Sequence, residues 1–132
     1  MRIMLDTNVI ISMVLFPNIK FSRMFDVITN KHTLVLSSFV VEELMEVADR
    51  KFPKKKSAIN LFLTKISFEY VYTPKVMKGG LFDIRDLKDY PVLYTAIAEN
   101  VDILVTGDKD FLEIDIKKPD ILTPAQFCEK YL

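Results

Sequence analysis

Half of the 132 residues are hydrophobic and 27% are charged, a balance that excludes a disordered chain and provides for one buried core without disulfides or a structural metal. Lys plus Arg and Asp plus Glu number 18 each, so no whole-molecule field draws the protein onto nucleic acid or an anionic membrane, and any such contact must be local. One cysteine, Cys128, excludes an intramolecular disulfide and a cysteine zinc site, and one histidine, His32, excludes an ordinary multi-histidine centre.

Residues 2–5 are a short apolar run that reads as a strand, followed by a helix over about 8–15 that Pro17 ends. Phe21, Met24, Phe25 and Ile28 recur at three and four residues and predict a second helix over about 19–30. Thr33 to Leu36 is β-branched and apolar, a second strand, and Ser37-Ser38 offers caps for a helix through Glu42, Glu43, Leu44 and Val47. Residues 50–56 hold Pro53 and five cations and read as a turn before a helix over about 57–66. A strand at about 69–73 and a loop with Gly79-Gly80 follow, after which Asp89 is placed to cap a helix over about 90–100 with Pro91 in its first turn. A strand at 102–105, a short strand at 121–122, and Thr123-Pro124-Ala125-Gln126, a capping box opening a last helix, complete the chain. Strands alternating with helices predict a single α/β domain over 1–132: a three-layer α/β/α arrangement around a mainly parallel sheet of four to five strands. A strand begins at once with no signal-peptide core before it, and no apolar run approaches the roughly 18 residues of a membrane span, so a soluble cytoplasmic protein with no membrane partner is expected.

Two of the strands end in aspartate among small polar residues, at Asp6-Thr7-Asn8 and at Thr106-Gly107-Asp108. In an open parallel sheet, ligands bind beyond the carboxyl ends of the strands, so both aspartates face one crevice. Glu43, about two turns into the helix after the second strand, and Asp89, leading the helix into the fourth, come to the same end. Asp86 and Asp110 stand close by in sequence. Taken singly, each acid also reads as a strand end, helix cap or solvated loop residue. Gathered together they repel one another unless a cation offsets them, and hard carboxylate oxygens suit Mg2+ or Mn2+ acting on phosphate esters.

Four spaced segments resemble, in order, the motifs of the PIN-domain ribonuclease family, which includes the VapC-like toxins of toxin–antitoxin systems. They are Leu5-Asp6-Thr7-Asn8-Val9; Ser37 with Glu43-Leu44 six residues later; Asp86-Leu87-Lys88-Asp89 running on through Pro91, Leu93 and Ala96; and Val105-Thr106-Gly107-Asp108-Lys109-Asp110-Phe111. The resemblance implies a PIN-like fold and hydrolysis of RNA phosphodiesters by metal-activated water, with a homodimer as the usual assembly and a cognate antitoxin as a protein partner. Carried over position by position, it places Asp6, Glu43, Asp89 and Asp108 in the catalytic, metal-binding set, Asp110 and Asp86 as secondary members, and Asn8 and Thr106 as polar supports. The resemblance favours Glu43 over Glu42 because Glu43 immediately precedes the leucine of the motif; the two point about 100° apart on a helix, so only one can face the site.

Lys54, Lys55 and Lys56 are the local cations placed to grip RNA phosphates in a neutral protein, beside their plainer reading as a solvated turn. Two other functions remain open. One is a catalytically weak module of the same fold that binds RNA or an antitoxin. The other is a phosphotransfer domain, against which stands Asn8 where a phosphatase pattern wants a second aspartate.

Overall fold

The computed structural model describes residues 1–84 and 87–132, so Asp86 lies outside the described residues. Among these, five strands form one sheet: β1 (Arg2–Leu5), β2 (Thr33–Ser37), β3 (Glu69–Val71), β4 (Ile103–Val105) and β5 (Asp120–Leu122). Every pairing is parallel and the spatial order is β3-β2-β1-β4-β5. Met4 sits opposite both Val35 and Leu104, so β1 is the central strand.

The apolar runs explain the layering. Side chains alternate between the two faces of a strand, so a strand buried at consecutive positions must be covered on both. Ile3, Met4 and Leu5 are fully buried, as are Leu34, Val35 and Leu36 on one side and Ile103, Leu104 and Val105 on the other. The covering helices are α1 (Thr7–Leu15), α2 (Ile19–Lys31), α3 (Ser38–Lys51), α4 (Lys56–Lys65), α5 (Tyr90–Ala98), α6 (Lys109–Leu112) and α7 (Pro124–Tyr131). Helices α1, α3 and α4 pack on one another, α5 packs on α3, and α2 packs on β2 and α7. At the edges the strands are more open: Glu69 and Tyr70 of β3 are exposed, and in β5 Asp120 is exposed with Ile121 and Leu122 half-buried.

Local chemistry fixes where these elements begin. Asn18 caps α2 by accepting from the Phe21 amide at 2.8 Å, Ser37 caps α3 by accepting from Val40, and Thr123 and Gln126 close a full capping box on α7. The expected elements are all present, with three differences. Helix α1 starts at Thr7 because Asp6 occupies its cap, and α5 stops at Ala98, the turn to β4 being made by Asn100 at φ 54°. The one-turn helix α6 was not expected, since four residues are too few for a periodic pattern. No helix among the described residues is long and apolar enough to cross a membrane.

Candidate metal centre

The order of the strands creates the site. Connections from β1 run to β2 on one side while β4 lies on the other, so the chain leaves a crevice at the carboxyl ends of β1 and β4. The Asp6 amide donates to the Val105 carbonyl at 3.0 Å and the Thr106 amide to that of Leu122 at 2.9 Å, which carries the ladder one residue past the strands. Asp6 and Thr106 are thereby fixed side by side at the crevice floor.

Asp6 is only 5% exposed. Its Oδ1 accepts from the Thr7 amide at 2.8 Å, the capping bond of α1, and its Oδ2 accepts from Thr106 Oγ1 at 2.9 Å. A carboxylate offers about four lone-pair positions, so both oxygens retain capacity. Burial pushes the Asp6 carboxyl up to about 6 against the restraining bonds from Thr106 and Thr7, and the negative charges of Glu43 and Asp108 push in the same direction.

Two threonines connect the acids. Thr7 Oγ1 donates to Glu43 Oε1 at 2.5 Å, tying the first turn of α1 to the second turn of α3. Thr106 Oγ1, fully buried, donates to Asp6 and accepts from the Asp108 amide at 3.1 Å. Asp108 caps α6 through Oδ1, which accepts from the Asp110 amide at 2.9 Å. Asp89, Asp108 and Asp110, all half-buried, each present a carboxylate oxygen within 4.8 Å of the other two. This donor set is hard, anionic and convergent, and it fits a divalent cation of the magnesium or manganese kind.

Each expected residue has a definite place. Glu43 is half-buried and bonded to Thr7, whereas Glu42 is exposed and turned toward β3. Asp89 does not cap α5 with its side chain, contrary to expectation: it closes a 3-10 turn, Leu87–Asp89, with helical backbone angles that a capping residue would not have, and its carboxylate lies by Asp108 and Asp110 instead. Asn8 is exposed on the first turn of α1.

The lysines are not brought to the crevice. Lys54 and Lys55 are exposed in a 3-10 turn, Pro53–Lys55, beyond the far end of α3, and Lys56 pairs with Asp49 at 2.6 Å. The step of eight residues along α3 from Glu43 to Lys51 alone spans about 12 Å at about 1.5 Å per residue. Thr7 is the member that the sequence reading passed over; its position directly after Asp6, as first residue of the helix, was the available signal. An open cleft lined by Phe39, Arg50, Lys88 and Pro91 adjoins Glu43.

A family model described as PIN domain matches residues 2–110. No curated protein matches the sequence. Among solved structures, the chain is similar to one in the crystal structure of VapBC2 from Rickettsia felis bound to a DNA fragment from their promoter, at 21% identity and a TM-score of 0.69 over 92% of this chain and 97% of that one. The fold is thus shared although four residues in five differ, and the matched segment runs from β1 through Asp110, spanning every described acid of the crevice: this chain belongs to the PIN-domain family.

Proposed function

We propose that this protein is a Mg2+- or Mn2+-dependent endoribonuclease of the toxin type, hydrolysing RNA phosphodiesters with Asp6, Glu43, Asp89 and Asp108 as its metal-binding carboxylates. The observation that carries the reading is Asp6, an acid held by two hydrogen bonds, whose proton affinity is raised first by burial and then by the charges of Glu43 and Asp108. The cap on α1 and the Thr106 bond offset only part of the cost of burying this charge among other acids, and a cation would offset the rest.

The division of labour follows from the bonds. Thr106 and the Thr7 amide aim the Asp6 carboxylate, Thr7 Oγ1 holds Glu43 to it, and the α6 cap fixes Asp108 beside Asp110. Asp110 takes a secondary place in this set, as do Asp86 and the polar support Asn8. A bound divalent cation would supply an activated water and offset charge on the scissile phosphate. Because water and not the ribose 2′-hydroxyl attacks, the products carry 5′-phosphate and 3′-hydroxyl ends.

The likeness in fold to a chain of VapBC2, a complex bound to promoter DNA, supports a cognate antitoxin as the protein partner, and we place the protein in the cytoplasm as a homodimer. The test is RNA cleavage by purified, EDTA-stripped protein before and after Mn2+ is restored. Cleavage only with metal, giving 5′-phosphate ends and lost in Asp6→Asn and Asp89→Asn, is expected. Cleavage in EDTA, or undiminished cleavage by either variant, refutes the assignment.

A further inference from the structure

Two tyrosines beside the crevice take no part in the metal centre. Tyr70 lies on edge strand β3 and Tyr72 just beyond it, and their spacing of two puts both rings on one side of the extended chain. The rings meet edge to face with centroids 5.2 Å apart, yet they are 42% and 77% exposed. Large aromatic surface is rarely left in water beside a polar site without use.

The backbone that carries them is fixed. The Thr73 amide donates to Ser38 Oγ at 2.9 Å, the Phe39 amide donates to Thr73 Oγ1 at 3.3 Å, and the Thr73 and Thr95 hydroxyls share a bond of 2.9 Å. Strand β3, the start of α3 and α5 are therefore locked together, and between them runs a groove of about 510 Å³. Phe39 and Pro91 line both this groove and the cleft that holds Glu43, so the two lie side by side.

The groove carries its positive charge at Lys75, whereas the neighbouring cleft holds Glu43 and Glu46 with Arg50 and Lys88, Arg50 being paired to Glu46 at 2.9 Å. Residues 71–82 contain Lys75 and Lys78 and no acid, and Lys75 lines the groove. Glu42 is the acid that α3 contributes to the groove, while the segment that carries the two rings also carries Lys75. Exposed rings next to a cation along a backbone path are the elements of a single-strand platform, on which bases of any identity stack.

We infer that the Tyr70–Tyr72 groove stacks unpaired nucleobases of the RNA strand whose backbone reaches the carboxylates, with Lys75 on a flanking phosphate. The inference rests on the ribonuclease reading. It makes the two tyrosines specificity-determining residues that are not metal ligands.

The test measures binding in EDTA, by fluorescence anisotropy, of labelled oligouridylate and of an abasic strand of equal length and charge. Wild type should bind the base-bearing strand about tenfold or more tightly than the abasic one. Tyr70→Leu/Tyr72→Leu should reduce that preference to within about twofold, and Tyr72→Phe should retain it because the ring remains. Equal binding of the two strands by wild type, or an unchanged preference in the double variant, overturns the inference. Sedimentation of wild type as a dimer that the double variant converts to monomer also overturns it, since the groove would then be covered by a second copy. Base preference without any metal-dependent cleavage would remove the ribonuclease reading and leave the groove standing; cleavage without base preference would do the reverse.

Discussion

Replacing Asp6 with asparagine should stabilise the metal-free protein at neutral pH, although it removes the central acid of the site. The folded state holds the Asp6 proton more tightly than the unfolded chain, with the carboxyl raised from 3.8 to about 6 by burial and by its acidic neighbours. Between those values the folded form binds more protons, so stability falls as pH rises through the window, and the full penalty is present above about pH 6. At about 1.4 kcal/mol per tenfold change in proton affinity, the penalty approaches about 3 kcal/mol at pH 7.5 and falls to about 1 kcal/mol at pH 4.5. Asparagine keeps the cap on α1 but must turn its amide nitrogen toward Thr106 Oγ1, which leaves the buried Thr106 hydroxyl proton without its acceptor at a cost of about 1 kcal/mol. The net expectation is a gain of about 2 kcal/mol at pH 7.5 that vanishes near pH 4.5. Urea unfolding in EDTA at the two pH values measures it, with the midpoint shift converted through a common slope. A variant less stable than wild type at pH 7.5, or a difference that does not change with pH, would refute the electrostatic account of the crevice.

Millimolar Mn2+ should raise the melting temperature of wild type and have a much smaller effect on Asp108→Asn, because ligation of the native state stabilises by mass action; equal shifts, read by thermal scanning, would place the ion elsewhere. Thr7→Val keeps the volume but deletes the 2.5 Å bond to Glu43, and it should weaken Mn2+ binding about tenfold by titration calorimetry while the fold is retained. Glu43→Gln should abolish metal-dependent cleavage, whereas Glu42→Gln should stay within about threefold of wild type; the reverse order would assign the wrong face of α3. Changing Lys54, Lys55 and Lys56 together to glutamine should leave the slope of log RNA affinity against log salt unaltered, since they lie beyond the far end of α3, while a slope flattened by roughly 0.7 per lost contact would return them to the RNA path.

The alternation of strands and helices was legible from residue types alone, because each device is local. Apolar runs such as Ile103 to Val105, the Asn18 cap and the Thr123 capping box act within a few residues of chain. The acids were legible for a related reason: aspartate directly after a buried strand lies at the sheet's carboxyl end whatever the order of strands, and that holds for Asp6 and for the Thr106 to Asp108 turn. Which acids meet was a matter of tertiary structure. The order β3-β2-β1-β4-β5 puts β1 beside β4, so residues 100 apart in sequence share the Thr106–Asp6 bond, and no local pattern encodes that neighbour. The same holds for Thr7, whose hydroxyl finds Glu43 only because α1 packs on α3, and for Asp89, turned from a capping role to Asp108 and Asp110. The lysine run shows the converse: its charge is plain in the sequence, but the direction of α3 carries it away from the crevice. Composition and periodicity determine what each segment becomes; the placement of charges against one another depends on long-range packing, and so the chemistry of the site was decided there.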